Sequence, residues 1–71
     1  MNKNIKKENC IGKQVCLSLQ GHIHRIPEMR TWVGTIESYD PIYDKFRVCW
    51  MDKKEKHIFS EHPDFIDIKN V

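Results

Sequence analysis

T-W-V-G-T-I-E-S-Y-D-P-I-Y-D-K-F-R-V-C-W-M, residues 31–51, decides the fold. From Thr31 to Tyr39, Trp32, Gly34 and Ile36 alternate with Val33, Thr35 and Glu37, the period-two pattern of a strand with one covered face, in a stretch rich in β-branched and aromatic residues. Lys45 to Met51 repeats the pattern, with Phe46, Val48 and Trp50 on one face and Arg47, Cys49 and Met51 on the other. Between the two, Asp40-Pro41 opens a turn, because proline fixes φ and drives the residue before it out of the helical region. The chain then reverses through Ile42, Tyr43 and Asp44, so the two strands are expected to pair as a hairpin.

The same reasoning extends in both directions. Toward the C-terminus, Asp52-Lys53-Lys54 reads as a short turn into a fourth strand, Glu55 to Phe59. Ser60 to Asp64 contains Pro63, which has no N–H for a ladder, and is expected to form one helical turn before a short last strand, Phe65 to Ile68. Toward the N-terminus, Val15, Leu17 and Leu19 alternate with Cys16 and Ser18 in a first strand from Gln14 to Leu19, and Gly21 to Arg30 reads as a long loop. Residues 1–10 form a polar, basic and flexible arm, and 11–71 a single domain. Five short strands in so short a chain predict an all-β fold, a small closed barrel that leaves few exposed edges.

Size and charge narrow the function. With 71 residues the chain encloses one small core, and a deep cleft with converging catalytic groups is not expected. The formal excess of +2 resides in Lys3, Lys6 and Lys7 against Glu8, and the rest of the chain is balanced, which does not favour a phosphate-gripping surface. Cys10, Cys16 and Cys49 are an odd number without framework spacing, as expected of free thiols in a reducing interior. No apolar run approaches the roughly 18–20 residues of a spanning helix. A soluble intracellular protein is expected, with no membrane partner, nuclear in a eukaryote and cytoplasmic otherwise.

Within Ile11 to Ile68, I-G-K-x-V at residues 11–15, W-x-G-x-I at Trp32, Gly34 and Ile36, and F-x-V-x-W at Phe46, Val48 and Trp50 resemble a Tudor-type domain, most closely a spindlin repeat. The resemblance implies a five-stranded SH3-like barrel. It also implies a non-catalytic reader in which an aromatic cage holds the methylated ammonium or guanidinium of a lysine or arginine in a histone or other chromatin protein. Carried over position by position, Trp32 falls on a cage tryptophan and Trp50 on a cage tyrosine, while two further aromatic positions fall on Leu19 and His57. Tyr39, Tyr43 and Phe59 are candidates for the missing walls, and Asp40 or Asp52 for a complementary charge.

Other chemistries find less in these residues. A nucleic-acid module would stack bases on the same rings and meet phosphates with Lys6, Lys7, Arg25, Arg30 and Arg47. A protein-interaction or oligomerising barrel would bury the aromatic patch under a partner, and the oligomeric state is left open. His22 and His24 are spaced for one metal ion, but no C-x-x-C or H-x-x-x-H accompanies them, so neither metal nor other cofactor is expected. Ser60 near His62 is the one adjacent Ser/His pair, with no third group to orient it, and no enzyme activity is expected.

Overall fold

A computed structural model describes residues 7–69. It contains five strands, β1 (Gln14–Leu17), β2 (Val33–Asp40), β3 (Lys45–Asp52), β4 (Glu55–Glu61) and β5 (Ile66–Ile68), and one short helix, α1 (Leu19–His24). The strands form one antiparallel sheet in the order β4-β3-β2-β1-β5, whose two edges are β4 and β5. Among the described residues no ladder joins those edges. The observed architecture is thus an all-β, five-stranded antiparallel sheet with little helix.

The central hairpin follows from its local chemistry. β2 and β3 pair from Val33↔Met51 to Asp40↔Lys45, with one irregularity between Ile36 and Ser38. In the turn the Asp40 carboxylate accepts the Ile42 N–H (2.9 Å), and Asp44 takes a left-handed φ of 52°. The tighter β3–β4 turn uses a left-handed Lys53, also at φ 52°. Alternation identifies the buried face correctly: Gly34, Ile36, Phe46, Val48 and Trp50 all point into the core with Val15, Leu17, Met29 and Ile66.

Several boundaries differ from the sequence expectation. Two are small: β2 begins at Val33, not Thr31, and β5 at Ile66, not Phe65, because Thr31 and Phe65 each close a 3-10 turn. The first strand stops at Leu17, because Ser18 is a helix N-cap whose side chain accepts the Gly21 N–H (3.2 Å). Ser18 also donates to the Asp64 carbonyl, which ties this cap to the segment before β5. The expected loop from Gly21 to Arg30 is largely helical, comprising α1 and a 3-10 turn over Pro27–Thr31. β4 continues past Phe59 to Glu61, since Ser60 and Glu61 still pair with Arg47 and Phe46; the helical turn follows at Pro63–Phe65, where His62 Nδ1 accepts the Asp64 N–H (3.1 Å). Finally, Lys7–Cys10, expected in the arm, form a 3-10 turn, and Cys10 is buried in the core. Residues 1–6 of the arm lie outside the described residues.

Candidate binding surface

The site is assembled on the covered face of β4. Directly paired residues project from the same face of a sheet, so His57, Phe59 and Glu61, opposite Trp50, Val48 and Phe46, face the core side, while Lys56, Ile58 and Ser60 face away. β4 is an edge, so the outer side of this row is less covered than β3, and His57 and Phe59 remain half-buried.

Trp50 is fully buried. Its indole lies against Gly34, where a Cβ would meet Trp50 Cε3 at 2.9 Å and Val48 Cγ1 at 2.5 Å. The indole Nε1–H donates to Glu61 Oε2 (3.0 Å), and Glu61 is likewise fully buried. Arg25, just after α1, ion-pairs with the same oxygen at 3.2 Å. Burial raises the Glu61 carboxyl above its ordinary range, opposed by Arg25, the Trp50 hydrogen bond and Lys45. Glu61 Oε1 and Arg25 Nε are both buried with no hydrogen-bond partner.

Beside this network runs a row of rings. Trp32, 7% exposed, stacks on His57 with centroids 4.7 Å apart and planes within 9°. His57 in turn stacks on Phe59 at 6.2 Å, and the Arg25 guanidinium carbon lies 5.1 Å from the Phe59 centroid. His57 Nε2 is buried without a hydrogen bond, 3.8 Å from the Glu55 carboxylate. A cation thus already rests on one end of the aromatic row.

The expected residues therefore separate into groups. Trp32, His57 and Phe59 come together; Trp50 lies beneath them as a core residue and presents no open cage wall, because its ring fills the space over Gly34 and its N–H is spent on Glu61. Tyr39 is the last residue but one of the strand that Trp32 precedes, which at about 3.3 Å per residue puts it roughly 20 Å away. It packs on Phe46 (5.1 Å) and donates its hydroxyl to Asp44 (2.5 Å). Tyr43 stands exposed in the same turn, and Leu19 stands exposed at the start of α1. Asp40 is used by its own turn. Asp52 lines a shallow hollow with Lys53, Lys54 and Glu55, which contains no ring.

The basic candidates among the described residues belong to different elements. Arg25 is paired with Glu61, while Arg47, on the opposite face of the sheet, lies 3.7 Å from Glu37. Arg30 belongs to the 3-10 turn before Trp32, Lys7 to the first 3-10 turn, and Lys6 falls outside the described residues. His24 stacks on Phe65 (5.1 Å), which also meets His62 (5.6 Å), so this histidine packs α1 onto the last turn. Ser60 is an exposed strand residue.

Sequence reasoning missed the Arg25–Glu61 pair. Its signal is the spacing His57, Phe59, Glu61, one step further along the same alternation, hidden when the strand is taken to end at Phe59. No helix among the described residues is long and apolar enough to cross a membrane. Comparison with known protein families, with curated proteins and with solved structures finds no match to this chain.

Proposed function

We propose that this chain is a non-catalytic, Tudor-type binding module of the SH3-like barrel class that takes a methylated lysine or arginine of a protein tail, as in histones, on the row Trp32–His57–Phe59. The strand order β4-β3-β2-β1-β5, with β1 between β2 and β5, supports the SH3-like reading. The observation that carries the binding reading is the Arg25 guanidinium on the Phe59 ring, since a ring face that holds one cation in this setting suits another. Each such contact contributes about 0.5–2 kcal/mol, so a peptide must gain the rest of its affinity along the neighbouring surface. The edge of β4, which pairs with no further strand among the described residues, lies beside the row and offers an extended chain a line of backbone partners.

The test is a titration of the isotope-labelled domain with matched unmodified and trimethylated lysine peptides and methylated arginine peptides. Methyl-dependent shifts at the Trp32 indole and the Phe59 ring, lost in Trp32→Ala and Phe59→Ala, are expected. Equal responses to modified and unmodified peptides sink the reading. A salt-sensitive response to a single-stranded oligonucleotide would favour a nucleic-acid module instead.

A second reading, an apolar protein-interaction module, is supported by Leu19, Ile23 and Ile26, which are 77%, 66% and 53% exposed at helical spacing on and after α1. Methyl-independent shifts confined to these residues would favour it.

A further inference from the structure

We infer that Arg25 is the built-in occupant of a guanidinium site formed by the Phe59 ring and the buried Glu61 carboxylate, and that an arginine side chain of a partner binds there by displacing it. This rests on the proposal that the ring row receives a cation, and it narrows the ligand to arginine.

The site has a wall, a floor and an unspent acceptor. Phe59 supplies the ring face at 5.1 Å, and the fully buried Glu61 supplies the counter-charge. Trp50 Nε1–H and Arg25 both converge on Glu61 Oε2, while Oε1 is buried with no donor. A guanidinium satisfies a carboxylate best through two parallel N–H···O contacts, one to each oxygen. Arg25 reaches only one, and its own Nε is left buried without a partner.

The reason lies in its backbone. Arg25 is the C-cap of α1, held by its N–H to the Gly21 carbonyl (2.8 Å), and α1 is anchored in turn by Ser18 and by His24 on Phe65. A tethered side chain meets the carboxylate from the direction its helix allows. An untethered arginine has no such constraint and can use both oxygens. A trimethylated lysine gains from the ring but has no N–H to give Glu61 Oε1, which burial makes costly to leave unpaired. Arg25 is 28% exposed, so its place is reached from solvent.

The test uses the full chain as Arg25→Ala and as Arg25→Gln, titrated with the N-acetyl amides of arginine, lysine and trimethyllysine. The Trp50 indole N–H resonance reports on Glu61 directly. In the wild type it should respond weakly to arginine amide. In Arg25→Ala it should shift saturably, several-fold more tightly with arginine than with either lysine ligand, and arginine amide should raise the melting temperature of the variant more than that of the wild type. Adding Glu61→Gln should remove the response. A folded Arg25→Ala or Arg25→Gln domain whose Trp50 resonance ignores arginine, or answers all three ligands and sodium chloride alike, overturns the inference. So does failure of both variants to fold, which would make Arg25 a fixed structural partner. If arginine fails here while trimethyllysine peptides still shift Trp32 in the wild type, only this inference falls and the reader proposal stands.

Discussion

Trp50 donates its indole N–H to Glu61 across the β3–β4 ladder, 3.0 Å between two side chains with no exposed surface. A carboxylate in that position is uncommon, because removing a charge from water costs several kcal/mol unless its partners compensate. Here they compensate in part: one oxygen has two partners and the other none. The strand that looks least constrained, an edge, therefore carries a demanding group, and its behaviour can be measured.

Glu61→Gln keeps an acceptor for Trp50 and removes the titration. Burial raises the folded-state pKa of Glu61 above its unfolded value of about 4.3, so the folded state holds this proton more tightly than the unfolded one. The stability from this group is fully present below the unfolded pKa and is lost as pH rises through the folded pKa. Urea unfolding of wild type and variant across acid to neutral pH should show the wild type losing ground to Glu61→Gln as pH rises, then a plateau. A gap that moves the other way would mean that Arg25 outweighs burial.

Two glycines are placed for close approach. Gly34→Ala sets a methyl against Trp50 and Val48 in the centre of the sheet and should cost about 1–3 kcal/mol, as overpacking does. Gly21→Ala drives a methyl into the Phe65 carbonyl oxygen, backbone that cannot rotate aside, and should cost more than Gly34→Ala. Thermal melts of the two variants check both the sign and the order.

Trp50→Ala removes a fully buried ring and should cost about 3–5 kcal/mol, enough to unfold much of a domain this small. Tyr43→Ala, in the exposed hairpin turn, should stay within about 0.5 kcal/mol of wild type. Loss of far-ultraviolet and amide dispersion in the first variant and not in the second is the expected pattern. A well-folded Trp50→Ala domain would contradict the core role assigned to this ring.

Much of the fold was legible because alternation and turn chemistry are local. Phe46, Val48 and Trp50 share a buried face as their spacing requires, and Asp40-Pro41 and Asp52-Lys53-Lys54 reverse the chain where they should. The errors arose where one residue supports two local structures. Ser18 fits an alternating strand and a helix N-cap, and the cap prevailed because it also reaches Asp64, far along the chain. The missing N–H of Pro63 interrupts nothing at Glu61, so β4 runs two residues beyond the Phe59 at which alternation places its end.

By itself, then, the sequence determined that the chain forms five short strands, where the hairpin turns fall and which side chains share a face, since these depend on φ, ψ and a period of two residues. Only the tertiary structure decided which rings stay within reach of solvent. Trp32 and Trp50 stand on the same alternating face in sequence and both are buried, Trp50 closed over by Gly34 and Glu61 and Trp32 stacked under His57, which with Phe59 is only half-buried. What covers Trp50 and Phe59 is set by Arg25 and Glu61 meeting from distant parts of the chain, and although alternation places Glu61 on the covered face, no local pattern names Arg25 as its partner.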